Sequence, residues 1–175
     1  MAGRRLAERP ILLGVDQCAE CGFAYPSVSA ADLPRQLIDA GAGFVATLVS
    51  IDDVRRRPAP AVWSPLEYAC HVRDVLRVQN ERLALALRTD NPPFRPMDRD
   101  ELAVRNIYND QDPQAVRVEL TTAASRLALA FGALGPAQWS RTGIYNWPTV
   151  EARTMLWLGR HTLHELVHHR LDLTL

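Results

Sequence analysis

Four stretches of about twenty residues carry apolar side chains at helical spacing, and almost nothing between them alternates as a strand would. The first runs from about Ser29 to Ser50, with Leu33, Leu37, Phe44, Val45 and Leu48 in phase; the charged, Pro-rich DDVRRRPAPAV ends it. The second opens at Ser64-Pro65-Leu66-Glu67, where Ser64 is an N-cap, Pro65 takes the first helical position and Glu67 completes a capping box. It continues to about Arg88. A polar connection, NPPFRPMDRDELAVRNIYND, has room for one short helix. The third opens at Asp112-Pro113 and reaches Leu134, where Gly135-Pro136 stops it. After the turn-rich GPAQWSRTGIYNWPT, the fourth starts near Thr149 and runs almost to the C-terminus. No internal repeat is evident. The pattern predicts an all-α, up-down-type four-helix bundle over 29–175, preceded by an irregular N-terminal arm over 1–28.

Composition narrows the function classes. At 175 residues one domain with its own core is expected, without disulfide staples. Twenty basic residues balance twenty acidic ones, which disfavours nucleic acid and anionic membranes as partners. Every basic residue is Arg, so no Schiff-base or P-loop lysine exists, and G-x-G-x-x-G is absent. No apolar run approaches the roughly 20 residues of a membrane span. The start, MAGRRLAERPILLGVDQ, is basic, but its apolar ILLGV is too short for a signal h-region. A cytoplasmic, reducing setting is expected, and the odd set Cys18, Cys21 and Cys70 argues against a disulfide framework.

Four of the five histidines, His161, His164, His168 and His169, fall on two turns of the last helix; the fifth, His71, sits in the middle of the second. Residues four apart share a helix face, so His164 with His168 and Glu165 with His169 are both clamps for a divalent ion. His71 is the natural third ligand from a facing helix. The run His164-Glu165-Leu166-Val167-His168 also matches H-E-x-x-H, the zincin metalloprotease signature. Only seven residues follow it, and no sheet is expected to present an extended substrate.

Trp63-Ser64-Pro65-Leu66-Glu67-Tyr68 with His71 and Asp74, followed by HisGlu-x-x-HisHis-x-x-AspLeu from His164 to Leu173, resembles the DinB-like four-helix-bundle metalloprotein superfamily. That superfamily includes bacillithiol transferases and mycothiol-dependent maleylpyruvate isomerase. The CAECGF arm (Cys18 to Phe23) and EYACHVRDV resemble an actinobacterial branch of it. The resemblance spans essentially the whole chain. It implies a divalent ion, zinc first and nickel or another metal next, held by His71 and a pair on the last helix. Anchoring on Asp172-Leu173 makes that pair Glu165 and His169, a His/Glu/His set similar to the mycothiol-dependent isomerase. Shifting by one residue makes it His164 and His168 and puts the trailing aliphatic out of register. The apolar stripe lies between the two pairs and does not choose.

The unused pair has a second use. Cys18 and Cys21 form a C-x-x-C without a second half, and His164 with His168 would complete a closed Cys2His2 tetrahedron if the arm folds back on the last helix. Alternatively the two thiols face the catalytic ion, or they are free and buried, with Gly22 serving a turn. Cys70 is read as core packing.

By resemblance, the chain is a transferase or isomerase using a low-molecular-weight thiol of the mycothiol type with an electrophilic substrate, and a homodimer is implied. The competing class is a non-enzymatic metal-binding or stress-response bundle, in which the ion only holds helices together. Asp74 and Asp172 each stand one turn from a ligand and are candidates to orient an imidazole. Arg73, Arg77 and Arg160 are candidates for an anionic cofactor. Trp139, Tyr145 and Trp147 either wall a pocket or pack the bundle's end.

Overall fold

The computed structural model describes residues 17–146 and 149–174. The first part of the arm and Trp147 lie outside them. The helices are α1 (Leu33–Val49), α2 (Pro65–Arg88), α3 (Arg99–Arg105), α4 (Pro113–Gly132) and α5 (Met155–Asp172). Between α4 and α5 stand two strands, β1 (Thr142–Tyr145) and β2 (Glu151–Thr154).

The four long helices make the bundle. α1 and α2 each pack against both α4 and α5 and barely touch one another. The ring order is therefore α1, α4, α2, α5, with α1 diagonal to α2 and α4 diagonal to α5. Long links make this possible. The short helix α3 occupies the connection between α2 and α4, where the sequence left room for one.

Local chemistry sets the helix starts. Ser64 Oγ accepts from the Glu67 amide at 3.2 Å, and the Glu67 carboxylate accepts from the Ser64 amide at 2.8 Å. Asp112 accepts from the Gln114 and Ala115 amides and opens α4. The last helix begins at Met155, not near Thr149. Glu151–Thr154 instead pairs antiparallel with Thr142–Tyr145, and Thr154 then caps α5 by accepting from the Trp157 amide at 3.1 Å. Four residues per strand are too few for alternation to show.

The core is filled by Leu33, Leu37, Phe44 and Leu48 of α1, Leu66, Leu76 and Leu83 of α2, Leu120, Leu127 and Phe131 of α4, and Met155 and Leu158 of α5. Each such burial contributes about 1.5–3 kcal/mol before entropy is counted. α1 approaches α4 at Gly41, where a Cβ would stand 2.9 Å from the Ala124 Cβ. Trp139 stacks on Phe131 with ring centres 5.6 Å apart. Tyr145 accepts from Arg82 at 3.0 Å and meets Trp157 edge-on, so both aromatics pack the bundle's end.

The described part of the arm folds onto α5. Cys18 N–H donates to Phe23 O at 2.8 Å and Gly22 N–H to Cys18 O at 2.9 Å, closing a tight loop. Gly22 has φ +71°, a conformation that a side chain would strain. Phe23 and Tyr25 then pack over His164, and Arg160 Nε donates to Val28 O at 2.8 Å.

Candidate metal centre

α2 and α5 run side by side, and one potential ligand atom each from His71, Glu165 and His169 lies within 4.8 Å of the others. His71 Nε2 is 4.0 Å from Glu165 Oε2, and His169 Nε2 is 3.4 Å from the same oxygen. His71 and His169 are 4% and 9% exposed. The rings of Trp63 and Tyr68 close the site from the α2 side, 5.3 Å from His71 and 5.6 Å from His169.

The hydrogen bonds orient the set. His169 Nδ1 is 2.7 Å from Asp172 Oδ2, which leaves Nε2 to face Glu165. This carboxylate–imidazole arrangement is the usual support for a metal-bound histidine. Asp172 therefore takes the orienting role open to it in the sequence. Asp74 does not take it: its carboxylate is engaged by Arg73, Arg77 and the Tyr108 hydroxyl.

Burial, reinforced by the neighbouring His169 charge, pushes His71 down to about 3, so its ring is neutral. Burial also opposes a charge on His169, but the Asp172 and Glu165 carboxylates outweigh it and lift it to about 9. Burial works against ionisation of Glu165 too; His164, His169 and His161 overcome that and hold it well below the usual carboxylate range. Glu165 is thus a partly buried anion among imidazoles, and a buried polar atom, His71 Nδ1, has no hydrogen-bond partner. Two imidazoles and a carboxylate from two helices fit a first-row divalent ion, with room in its coordination for an exogenous ligand.

A second group lies beside the first. Cys18, Cys21, His164 and His168 each place a ligand atom within 4.8 Å of the others. Cys18 Sγ is 3.8 Å from His168 Nδ1, whose other ring nitrogen stands 3.5 Å from Glu20 Oε2. Neither ring nitrogen of His164 has a hydrogen-bond partner, although the residue is only 2% exposed. All three cysteines are free thiols. Burial opposes a thiolate at Cys18, yet the Cys21 and Glu20 amides, with His164, bring it down to about 6. Burial and the adjacent Cys18 push Cys21 up to about 11.

Two further groupings, His161/His164/Glu165 and His168/His169/Asp172, borrow members from these two and add no partner outside α5. His161 Nδ1 is 3.0 Å from the Tyr25 hydroxyl, a pairing that ties the arm to α5. Sequence reasoning assigned no role to Tyr25 or Glu20; both act from the arm, which has no periodic signal. Cys70 is fully buried beside Tyr108 and Gln111, as core. Arg73, Arg77 and Arg160 bond to protein groups: Asp74 and Glu119 for the first two, Val28 O for the third.

Four long helices, two of which share a His/Glu/His constellation able to hold a metal ion, define a helical bundle. Residues 35–173 match the family model of the DinB superfamily, and the chain belongs to that superfamily. YfiT from Bacillus subtilis, a probable metal-dependent hydrolase with an unusual four-helix bundle topology, superposes with a TM-score of 0.74 at 19% identity, over 84% of this chain and 88% of its own. The mycothiol-dependent maleylpyruvate isomerase superposes with a TM-score of 0.70 at 14% identity, over 85% of this chain and 62% of its own. At these identities the likeness concerns the fold. A search of curated protein sequences finds no match. Among the described residues, no helix is long and apolar enough to cross a membrane.

Proposed function

We infer that the chain is a metal-dependent transferase or isomerase that activates a low-molecular-weight thiol of the mycothiol type. The observation that carries this is the largely buried His71, Glu165 and His169 set, drawn from two helices and backed by Asp172. A divalent ion bound there lowers the pKa of a thiol in its open position or polarises a carbonyl.

The chain's own groups do the rest. His71 offers a neutral nitrogen, the form a ligand requires. Asp172 holds the His169 ring through Nδ1, so its Nε2 is turned to the site, where a bound ion would take the place of its proton. Glu165 supplies the negative charge that offsets part of a cation's charge. Trp63 and Tyr68 wall the α2 side with apolar surface and limit water there. Three protein ligands leave a position for substrate, whereas a structural zinc site is closed by four.

The likeness to the bacillus protein, a probable metal-dependent hydrolase, makes hydrolysis the second reading, with the same ligands and water in place of thiol. The test is turnover of an electrophilic substrate by metal-loaded protein, with and without mycothiol. Thiol-dependent turnover that is lost in His71→Ala supports the proposal. Thiol-independent release of a hydrolysis product supports the second reading. A metal-free protein that takes up no ion on reconstitution overturns both.

A further inference from the structure

We propose that Cys18, Cys21, His164 and His168 form a second, closed zinc site that fastens the N-terminal arm to α5. The four ligand atoms already lie within 4.8 Å of one another, although 146 residues separate Cys18 from His164 in the chain. Bond lengths of about 2.3 Å to sulfur and 2.0 Å to nitrogen, at a tetrahedral angle, set ligating S and N about 3.5 Å apart. Cys18 Sγ and His168 Nδ1 stand 3.8 Å apart. That pair needs to contract by only a few tenths of an ångström, and every other pair lies within 4.8 Å.

Three independent features point to a ligand at this place. His164 is 2% exposed with both ring nitrogens lacking a hydrogen-bond partner, an arrangement that costs stability unless something binds them. Glu20 Oε2 stands 3.5 Å from His168 Nε2, an acidic neighbour on the side of the ring away from the Nδ1 that faces Cys18. The loop from Cys18 to Phe23 is turned back by Gly22, so both sulfurs face one side; the Cys18 amide and carbonyl are already satisfied within the loop. No disulfide joins the two thiols.

Two thiolates and two imidazoles fill a tetrahedron, so this ion has no open position and its role is structural. Binding one zinc ion to the two thiols releases up to two protons and changes no oxidation state. The loop it fixes carries Phe23 and Tyr25 over α5, and through Tyr25 it reaches His161, whose Nε2 is 3.8 Å from Glu165 Oε1. The second ion thus holds one wall of the first site. It is distinct from the His71/Glu165/His169 set, and its test does not depend on that set being catalytic.

The experiment is metal content and X-ray absorption on zinc-loaded wild type, a Cys18→Ser/Cys21→Ser double variant and His71→Ala. Wild type should hold two ions per chain. The double variant should hold one and lose all zinc–sulfur scattering. His71→Ala should also hold one, now with an equal mixture of sulfur and nitrogen neighbours. Cobalt substitution in His71→Ala gives a second readout, since a tetrahedral ion with two thiolates shows intense thiolate-to-metal charge-transfer bands. Zinc–sulfur scattering that disappears in His71→Ala would put the thiols on the first ion and overturn the proposal. So would unchanged zinc content in the double variant, or wild type with one ion and no sulfur neighbours.

Discussion

His164 and Glu165 are adjacent on α5 and belong to two different ligand groups, one closed by the arm and the other by α2. Each has its partner one turn on, at His168 and His169. Consecutive residues on a helix point about 100° apart, so two consecutive i, i+4 pairs make two clamps side by side. His164 Nδ1 and Glu165 Oε1 are 3.7 Å apart, which places the clamps in electrostatic contact.

Because the pairs are separate, their variants should separate too. Glu165→Ala is expected to lose the ion of the first group and keep zinc–sulfur scattering. His164→Ala is expected to do the reverse. Metal analysis with X-ray absorption on the two variants checks this, and loss of the same ion in both would merge the groups into one.

Asp172→Asn should leave the ligands in place and weaken their ion. Removing the partner of a metal-bound histidine typically costs 10–100-fold in affinity, so about that loss is expected by competition with a chelator. Full occupancy at high metal concentration, with an unchanged helical spectrum, would show that Asp172 positions His169 and is not needed for folding.

Asp74 supports α2 and stands apart from both metal groups. Burial opposes its charge, but Arg73, the Tyr108 hydroxyl and Arg77 hold its pKa below the usual value. A carboxylate with a depressed folded pKa stabilises the fold above its unfolded pKa, and the contribution is lost as pH falls through the folded one. Asp74→Asn should therefore destabilise at neutral pH and progressively less in acid. Glu119 still pairs with Arg73, so the loss should be about 2–3 kcal/mol, below that for a fully orphaned buried charge. Denaturant unfolding at pH 7 and pH 3 measures both.

Gly41→Ala tests the α1–α4 contact. The added Cβ would meet the Ala124 Cβ at 2.9 Å, and neither atom has a rotamer to move it away. Pushing two packed helices apart should cost about 1–3 kcal/mol in thermal or denaturant unfolding. Gly41→Ala combined with Ala124→Gly should recover most of it.

The fold was largely legible because helix starts are local. Ser64 with Glu67, and Asp112 with Pro113, mark α2 and α4 within a residue. β1 and β2 are not legible, because four-residue strands leave no periodic trace, and the sequence pattern therefore places the start of α5 too early. The histidine constellation was visible as spacing. The choice between the two pairs is not visible, because α5 is covered on both flanks, by α2 and by the arm, so each pair meets protein groups that the helix pattern does not show. Tyr25 and Glu20 went unassigned because their partners lie far along the chain, and only the folded arm reveals them.

The most direct measurement is the visible spectrum of a cobalt-loaded Cys18→Ser/Cys21→Ser variant titrated with mycothiol. The one cysteine left in that variant, Cys70, is buried with its thiol turned to Tyr108 and Gln111, so a thiolate-to-cobalt band must come from the added thiol. The account predicts a saturable band that is absent when His71→Ala is introduced as well. A spectrum unchanged by mycothiol, with cobalt bound by His71, Glu165 and His169, would contradict thiol activation as the work of this centre.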